Sequence, residues 1–293
     1  MKGWLFTLPW TLGFCAFFAY PLAQSALYGF SNIRLTAAGR KISPVGWDNY
    51  AYIFQRDIYF MERLRDFFVN TLFSLPVLLV FSLMIAMMIN QKIKCKGLFR
   101  ALFFLPVVVV SGPVLNMIIS EGAASIPIIE QYGIYGLIEN FVPSMIAAPL
   151  TYLFSQLVMI LWYSGVPILI FLAGLQKIDR SLYEAALIDG ASAWVAFWKI
   201  TLPAMRGMIV INAVYCIVFL ASSEINEVIA LIRSAMLDPN IGYGIASAMA
   251  WVYSLSVALA IGLAWFLLGR APKERATHAV ILLQRRGLDA IRR

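Results

Sequence analysis

Six long hydrophobic stretches, separated by polar segments, dominate the pattern of this chain. Each is long enough to cross the roughly 30 Å of a bilayer's hydrocarbon core as a helix. They run Trp4–Phe30, Phe67–Ile89, Ala101–Ile119, Thr151–Gly174, Met208–Ile232 and Ile245–Leu268. The pattern therefore predicts an all-α, polytopic membrane protein with six transmembrane helices, in which residues 1–293 form a single transmembrane domain.

The composition supports a membrane protein over a soluble one. Hydrophobic residues make up 61% of the 293 residues and charged residues 13%, and the mean hydropathy is +0.81. A soluble domain of this length needs far less apolar material to fill one core. Cys15, Cys95 and Cys216 are too few for a disulfide framework and are interpreted as free thiols. His278, the only histidine, has no neighbouring ligands, so no metal site is expected.

The distribution of charge predicts the orientation. If the N-terminus is cytoplasmic, that side receives 16 of the 23 Lys and Arg residues but only five of the 15 acidic residues. The inside then carries +11 and the remainder −3, as the positive-inside rule requires. Both termini and a polar loop of residues 177–206 are therefore expected in the cytoplasm. The basic tail, residues 270–293, either lies on the anionic leaflet as an amphipathic helix or is a disordered segment that only fixes topology.

Two longer loops are expected outside. About 36 residues follow the first hydrophobic stretch, and about 30 residues run from Ser120 to Pro149. The second loop is rich in Gly, Pro and apolar residues, so either part of it dips into the membrane interface or it forms a structured cap.

The cytoplasmic loop has the sequence signals of two short helices. Ser181 and Glu184 have the spacing of a capping box at the start of a helix over 182–189. Gly190 is suited to end that helix in a left-handed conformation. A second helix is predicted over 193–200, and Pro203 is expected to end it.

The same loop carries a recognisable motif. The motif resembles the EAA loop of bacterial ABC importer permeases. It reads Glu184-Ala-Ala, three residues, Gly190, nine residues, Ile200, one residue and Leu202-Pro203. Other segments resemble the first permease subunit of maltose-type carbohydrate importers: Tyr20-Pro21, Gly46–Tyr50, Asn70-Thr71, Gly97–Arg100, Phe104–Pro106, Phe171–Gln176 and Gly242–Ala246. One departure is Ile232–Pro239, which stands where many relatives have Thr-Gly-Gly-Gly-Pro and predicts a shorter outer turn.

The resemblance implies a type I ABC importer permease, the MetI-like fold, in a bacterial inner membrane. Its implied partners are a second homologous permease, two ATPase subunits, an extracytoplasmic solute-binding protein and a sugar or oligosaccharide, with lipid around the spans and no nucleic acid. ATP and Mg would bind the ATPase, and no cofactor would bind this chain. The implied ATPase-coupling residues are Tyr183, Glu184, Ala185, Ala186, Leu187, Asp189, Gly190, Ile200, Leu202 and Pro203. Glu184 would pair with a basic residue of the ATPase, or else only cap its own helix.

Polar and aromatic residues in the spans suggest a path for the substrate. Buried polar groups in membranes usually face a protein interior or a water-filled path, and sugar C–H faces pack on aromatic rings. The candidates are Asn70, Gln156, Trp162, Tyr215, Ser222, Ser223, Glu224, Asn226, Glu227 and Trp251. Glu224 and Glu227 are three residues apart and are expected on one helix face. Polar helix ends and helix–helix hydrogen bonds are the alternative interpretation.

Other functions find less support in the residues. An intramembrane enzyme would need a nucleophile and base or metal ligands at membrane depth, and no such motif is present, so no catalytic residue is assigned. A phosphate-binding Gly-x-x-x-x-Gly-Lys-Ser/Thr sequence is also missing, so ATP hydrolysis would belong to a partner. A secondary transporter or channel subunit for a small polar solute is the alternative. The substrate itself stays open between neutral, phosphorylated and acidic carbohydrates.

Overall fold

The computed structural model describes residues 3–36, 39–91, 97, 143–223, 225–239 and 241–269. The predicted third span (101–119), most of the loop at 120–149, the basic tail at 270–293, Cys95 and Glu224 lie outside the described residues. The helices in chain order are α1 Gly3–Phe14, α2 Tyr20–Gly29, α3 Asp48–Gln55, α4 Ile58–Asn90, α5 Ser144–Leu175, α6 Arg180–Ile188, α7 Ala193–Ala196, α8 Leu202–Ala204, α9 Arg206–Ser222, α10 Glu227–Leu237 and α11 Gly242–Gly269.

The first predicted span forms α1 and α2, joined by a π-helical turn over Cys15–Ala19. Pro21 explains the turn. A proline lacks the backbone N–H that continues the α-helical ladder and its ring crowds the preceding turn. The backbone N–H of Tyr20 donates instead to the carbonyl of Cys15, and the wider turn leaves room for the ring.

A β-hairpin follows the first span, where the sequence predicted a loop. Strands β1 Ser31–Thr36 and β2 Gly39–Pro44 pair antiparallel, with Ile33 opposite Ile42. Ile33 of β1 is buried whereas Ile42 of β2 is half exposed, so the hairpin packs against the protein through β1. Asn49 of α3 fixes its base, since the side-chain amide donates to the carbonyls of Gly29 (2.9 Å) and Ser31 (3.1 Å).

The long helices bear out the hydrophobic pattern, with corrections at their ends. Helix α4 begins at Ile58, nine residues before the predicted span, because Asp57 caps it by accepting a hydrogen bond from the backbone of Phe60 (2.9 Å). The predicted fifth span, 208–232, is interrupted: α9 ends at Ser222 and α10 starts afresh at Glu227. Glu224 lies outside the described residues, so the expectation that it shares a helix face with Glu227 stays a prediction.

Several of these helices are long and apolar enough to cross a membrane. Among the described residues there are four such candidates: 6–29, 58–90, 206–237 and 242–269. The stretch 160–175 qualifies together with α6, at a bend of 66° between them, and would make a fifth. The predicted all-α, polytopic fold is confirmed, with the hairpin as an addition.

Three apolar clusters join the helices in the described part of the chain. The smallest comprises Leu78, Ile160 and Cys216, and the other two are named for the side of the membrane that the sequence predicts for them. The outer cluster is centred on Ile53, Phe60, Val228, Met249 and Tyr253. The cytoplasmic cluster joins the ends of α4, α5 and α9 and comprises Leu83, Ala86, Ile89, Ile168, Phe171, Leu172, Leu175 and Met205. In a bilayer such contacts stabilise by close packing rather than by removal from water, so small residues at the contacts matter.

Candidate functional site

The loop at 177–206, which the sequence predicts to be cytoplasmic and which is called the cytoplasmic loop for that reason, begins with a capped helix. The cap differs from the predicted one. The carboxylate of Asp179 accepts a hydrogen bond from the backbone N–H of Ser181 (3.0 Å), so Asp179 rather than Ser181 caps α6. This hydrogen bond stabilises the ionised carboxylate and lowers the pKa of Asp179. The cap is therefore present at neutral pH and weakens only as the pH falls through this lowered pKa.

Helix α6 ends in the left-handed turn that the sequence predicted. Gly190 has φ = +75°, a conformation that costs any side chain with a Cβ. The backbone N–H of Ala191 donates to the carbonyl of Ala186 (2.9 Å), and that of Gly190 donates to Leu187 (3.0 Å). These two bonds make a Schellman motif, which satisfies the last carbonyls of the helix and fixes the direction of the following chain.

The second half of the loop is not the single helix that was predicted. Ser192 caps α7 through the backbone N–H of Val195 (3.3 Å), and a π-helical turn over Phe197–Thr201 leads into α8. Pro203 lies within α8 and does not end the helix as expected. The reason is the same as at Pro21, because a π turn before a proline accommodates the missing N–H.

The loop is attached to the membrane helices through its inner face. The hydroxyls of Tyr183 and Thr201 are 2.8 Å apart and join the two halves of the loop. Ile178, Phe197 and Leu202 pack on the cytoplasmic cluster. A displacement of the loop would therefore be transmitted to α4, α5 and α9 together. Thr201 and Ile178 were missed at the sequence level, because neither belongs to the motif.

The opposite face of the loop exposes large apolar side chains. Leu187 is 74% exposed, Ile188 87% and Trp194 68%, and Leu182 and Trp198 are half exposed. Surface apolar groups gathered in one place are typical of a protein–protein contact. The predicted residues Glu184, Ala185, Asp189 and Gly190 also lie on the exposed part of the loop, whereas Ala186, Ile200 and Leu202 are partly buried.

A second candidate site is a cavity of about 580 Å³ near the end of the helices that the sequence predicts to be outside, and it is called the outer cavity. It lies between α4, α5 and the interruption of the fifth span. Four of the predicted path residues line it, namely Asn70, Ser223, Asn226 and Glu227. Tyr163 lines it as well. The rest of the wall consists of residues that sequence reasoning did not single out for this site: Arg63, Asp66, Phe67, Val69, Thr71, Ser74, Leu220 and Ile225.

Asn226 stabilises the break in the fifth span. Its side-chain oxygen accepts a hydrogen bond from the backbone N–H of Val228 (2.9 Å) and caps α10. Its amide nitrogen donates to the carbonyl of Ala221 (3.3 Å) and to the hydroxyl of Tyr253 (2.6 Å), and Tyr253 in turn donates to Ala221 (2.8 Å). One side chain thus satisfies backbone groups on both sides of the interruption, which a membrane environment would otherwise leave unpaired.

Charged residues meet at the mouth of the cavity. Arg63 of α4 forms an ion pair with Glu227 at the start of α10. Asp66, three residues after Arg63, also lines the cavity. Arg63 and Glu227 are 164 residues apart in the chain, so their pairing left no signal in the local sequence.

The other predicted path residues lie elsewhere. Tyr215 stacks on Phe219 with ring centroids 5.7 Å apart, and the hydroxyl of Ser222 donates to the carbonyl of Val218 (2.8 Å) within its own helix. Trp162 and Trp251 are partly buried but do not line this cavity. Gln156 lies in α5, and Glu224 is outside the described residues. In the described part of the chain, no group of three His, Cys, Asp or Glu residues is arranged to hold a metal ion.

Comparisons with known proteins find similarity to transport permeases. The family described as "Binding-protein-dependent transport system inner membrane component" matches residues 60–270. The chain is 30% identical over 280 residues to the probable ABC transporter permease protein YesP of Bacillus subtilis, covering 88% of this chain and 87% of that protein. It is 32% identical over 207 residues to the multiple sugar-binding transport system permease protein MsmF of Streptococcus mutans, covering 69% and 68%.

Solved structures share the fold. A chain of a bacterial ABC transporter involved in the import of the acidic polysaccharide alginate superimposes with a TM-score of 0.58 at 18% identity. The match covers 92% of this chain and 96% of that one. A second structure of an alginate ABC transporter, in complex with an alginate pentasaccharide-bound periplasmic protein, gives a TM-score of 0.54 at 18% identity over 89% and 91% of the two chains.

Proposed function

This chain belongs to the family of binding-protein-dependent transport system inner membrane components, and we propose that it carries a sugar or oligosaccharide inward, driven by a separate ATPase that docks on its cytoplasmic loop. It is a sugar ABC transporter permease component, as the resemblance in its motifs implied. Its relatives are named as transport permeases rather than enzymes.

The proposed coupling to the ATPase rests on the structure of the cytoplasmic loop. Its outer face presents exposed apolar groups around Leu187 and Trp194, and its inner face packs on the cytoplasmic cluster. A partner that moves the loop would move three membrane helices, which is what an ATP-driven change between inward-facing and outward-facing states requires. Glu184, exposed on α6, is available to pair with a basic residue of that partner.

A sugar as the substrate is supported by the named relatives. They include permeases for multiple sugars, for lactose in Rhizobium radiobacter and for arabinooligosaccharides in Bacillus subtilis. The outer cavity would receive the sugar. Hydroxyl and amide groups of Asn70, Thr71, Ser74 and Ser223 line it beside the ring of Tyr163, a mixture suited to sugar hydroxyls and C–H faces. Its volume is in the range of small-molecule sites.

The partners we propose are a second homologous permease, two ATPase subunits and an extracytoplasmic binding protein. The alginate transporter structure with a bound periplasmic protein supports the last of these. We place both termini and the loop in the cytoplasm, which the excess of Lys and Arg on that side supports.

The test is uptake by the reconstituted importer. The chain, a second permease, the ATPase and the binding protein would be placed in proteoliposomes, and entry of radiolabelled sugars would be followed with ATP, with ADP, and without the binding protein. We expect uptake only when ATP and the binding protein are both present. Equal uptake with ADP would contradict the proposal and favour a secondary transporter or channel.

A further inference from the structure

An ion pair between Arg63 and Glu227 lies in the lining of the outer cavity. Three charged residues line the cavity among those the structure describes: Arg63, Asp66 and Glu227. Arg63 is paired with Glu227, and their side chains are 48% and 67% exposed. Arg65, outside the lining, has its guanidinium 3.4 Å from Asp66 and is 75% exposed. Each guanidinium therefore already has a carboxylate partner.

Glu227 is fixed in this position by its helix. It is the first residue of α10, after the capping residue Asn226. The positive end of a helix dipole favours a carboxylate at this position, next to Arg63. An incoming carboxylate would have to share Arg63 with Glu227, and it would bring a third carboxylate close to those of Glu227 and Asp66.

The rest of the lining favours uncharged ligands. Apart from the three charged residues, the polar lining groups are neutral hydroxyls and amides, with the rings of Phe67 and Tyr163 beside them. Such groups bind sugar hydroxyls and C–H faces, but they do not replace the cation that an acidic sugar requires.

We propose that the Arg63–Glu227 ion pair makes the outer cavity a charge filter that admits uncharged saccharides and disfavours acidic ones. This inference rests on the proposed function and narrows its substrate class. Glu227 acts as the specificity-determining residue, because it neutralises the guanidinium that a uronic acid would otherwise bind.

The charge of the cavity can be measured without any substrate. Cys15, Cys95 and Cys216 would be replaced, and Ser74, which lines the cavity on α4, would become the single cysteine. The assembled importer in proteoliposomes would react with a cationic and an anionic methanethiosulfonate, each rate normalised to that for 2-mercaptoethanol. The cationic reagent is expected to react faster in the parent.

The charge variants give the decisive comparison. Glu227→Gln is expected to lower the cation-to-anion rate ratio roughly tenfold, the order for one unit charge in a partly screened cavity. Arg63→Gln should raise it by a similar factor. Glu62→Gln is the matched control for Glu227→Gln. Glu62 is an exposed acid of α4, next to Arg63 in the chain, and it does not line the cavity. A parent ratio below one, or equal effects of Glu227→Gln and Glu62→Gln, would overturn the charge filter.

Transport measurements distinguish a failure of this inference from a failure of the proposed function. The parent importer is expected to take up maltotriose and to exclude trigalacturonate, and Glu227→Gln should reduce that discrimination. ATP-driven uptake of both at equal rates would overturn the charge filter while leaving the proposed function intact. If no saccharide enters with ATP, the proposed function is wrong, whereas the thiol ratios still report the charge of the cavity.

Discussion

Replacing Gly190 by alanine tests the turn of the cytoplasmic loop without removing a contact. A Cβ at this position would meet nothing within 4 Å, so the substitution causes no steric clash. The backbone there has φ = +75° and closes the Schellman motif at the end of α6. The only penalty is conformational, because an L-residue disfavours the left-handed region.

The size of that penalty sets the expected effect. The left-handed conformation costs alanine about 1–2 kcal/mol relative to glycine, which corresponds to a factor of roughly 5–30 in an equilibrium constant. If the ATPase binds only the turn seen here, its apparent affinity should fall by about that factor. Gly190→Asn should retain more affinity, since asparagine tolerates the left-handed region better than alanine.

The assay is binding of the purified ATPase to the permease pair in nanodiscs, followed by ATP-driven sugar uptake. Gly207→Ala is the matched control, because its Cβ would also meet nothing within 4 Å and Gly207 lies in the first turn of α9 without a positive φ. We expect Gly190→Ala to weaken binding and Gly207→Ala to leave it unchanged. Equal affinities for the parent and Gly190→Ala, at equal expression, would refute the reasoning.

Three further substitutions test the remaining elements. Asp179→Ala should destabilise α6 through loss of its cap and weaken ATPase binding, whereas Asp179→Asn keeps a capping oxygen and should bind normally; equal binding by both would argue against the cap. Asn226→Ala should lower the stability of the purified permease by about 2–3 kcal/mol, because it leaves buried backbone groups unpaired; an unchanged melting temperature in detergent would contradict this. Gly244→Ala should prevent assembly, since its Cβ would overlap the carbonyl oxygen of Ser31, whereas Gly262→Ala, which has open space, should express normally; comparable yields would show that the hairpin does not pack there.

The membrane helices were predictable because hydrophobic length is a direct physical requirement of the bilayer. The turn at Gly190 was predictable for a similar reason, since glycine is the residue best suited to a left-handed helix end. The hairpin was missed because Ile33 and Ile42 are its only apolar cross-strand pair, and a single pair is too weak a pattern beside polar residues.

The interruption of the fifth span has a signal in the sequence, but the hydropathy pattern does not reveal it. Asn226 before Glu227 and Val228 is a helix start signal, but it lies inside a run that is long enough to be one span. Local sequence could not give the Arg63–Glu227 ion pair, because that contact depends on how α4 and α10 pack. The cavity was therefore only partly predicted: its polar residues of the fifth span were found, and its charged wall on α4 was not.

Crosslinking from the cytoplasmic loop tests the central claim most directly. A cysteine at Leu187, which is 74% exposed, would be tested in the assembled importer alongside one at Ile42, which is 51% exposed on the outer hairpin. The account predicts that Leu187→Cys is captured by the ATPase and is protected from impermeant reagents outside the cell, whereas Ile42→Cys is labelled from outside and does not capture the ATPase. Labelling of Leu187→Cys from the exterior, or failure to capture the ATPase during ATP-driven transport, would contradict it.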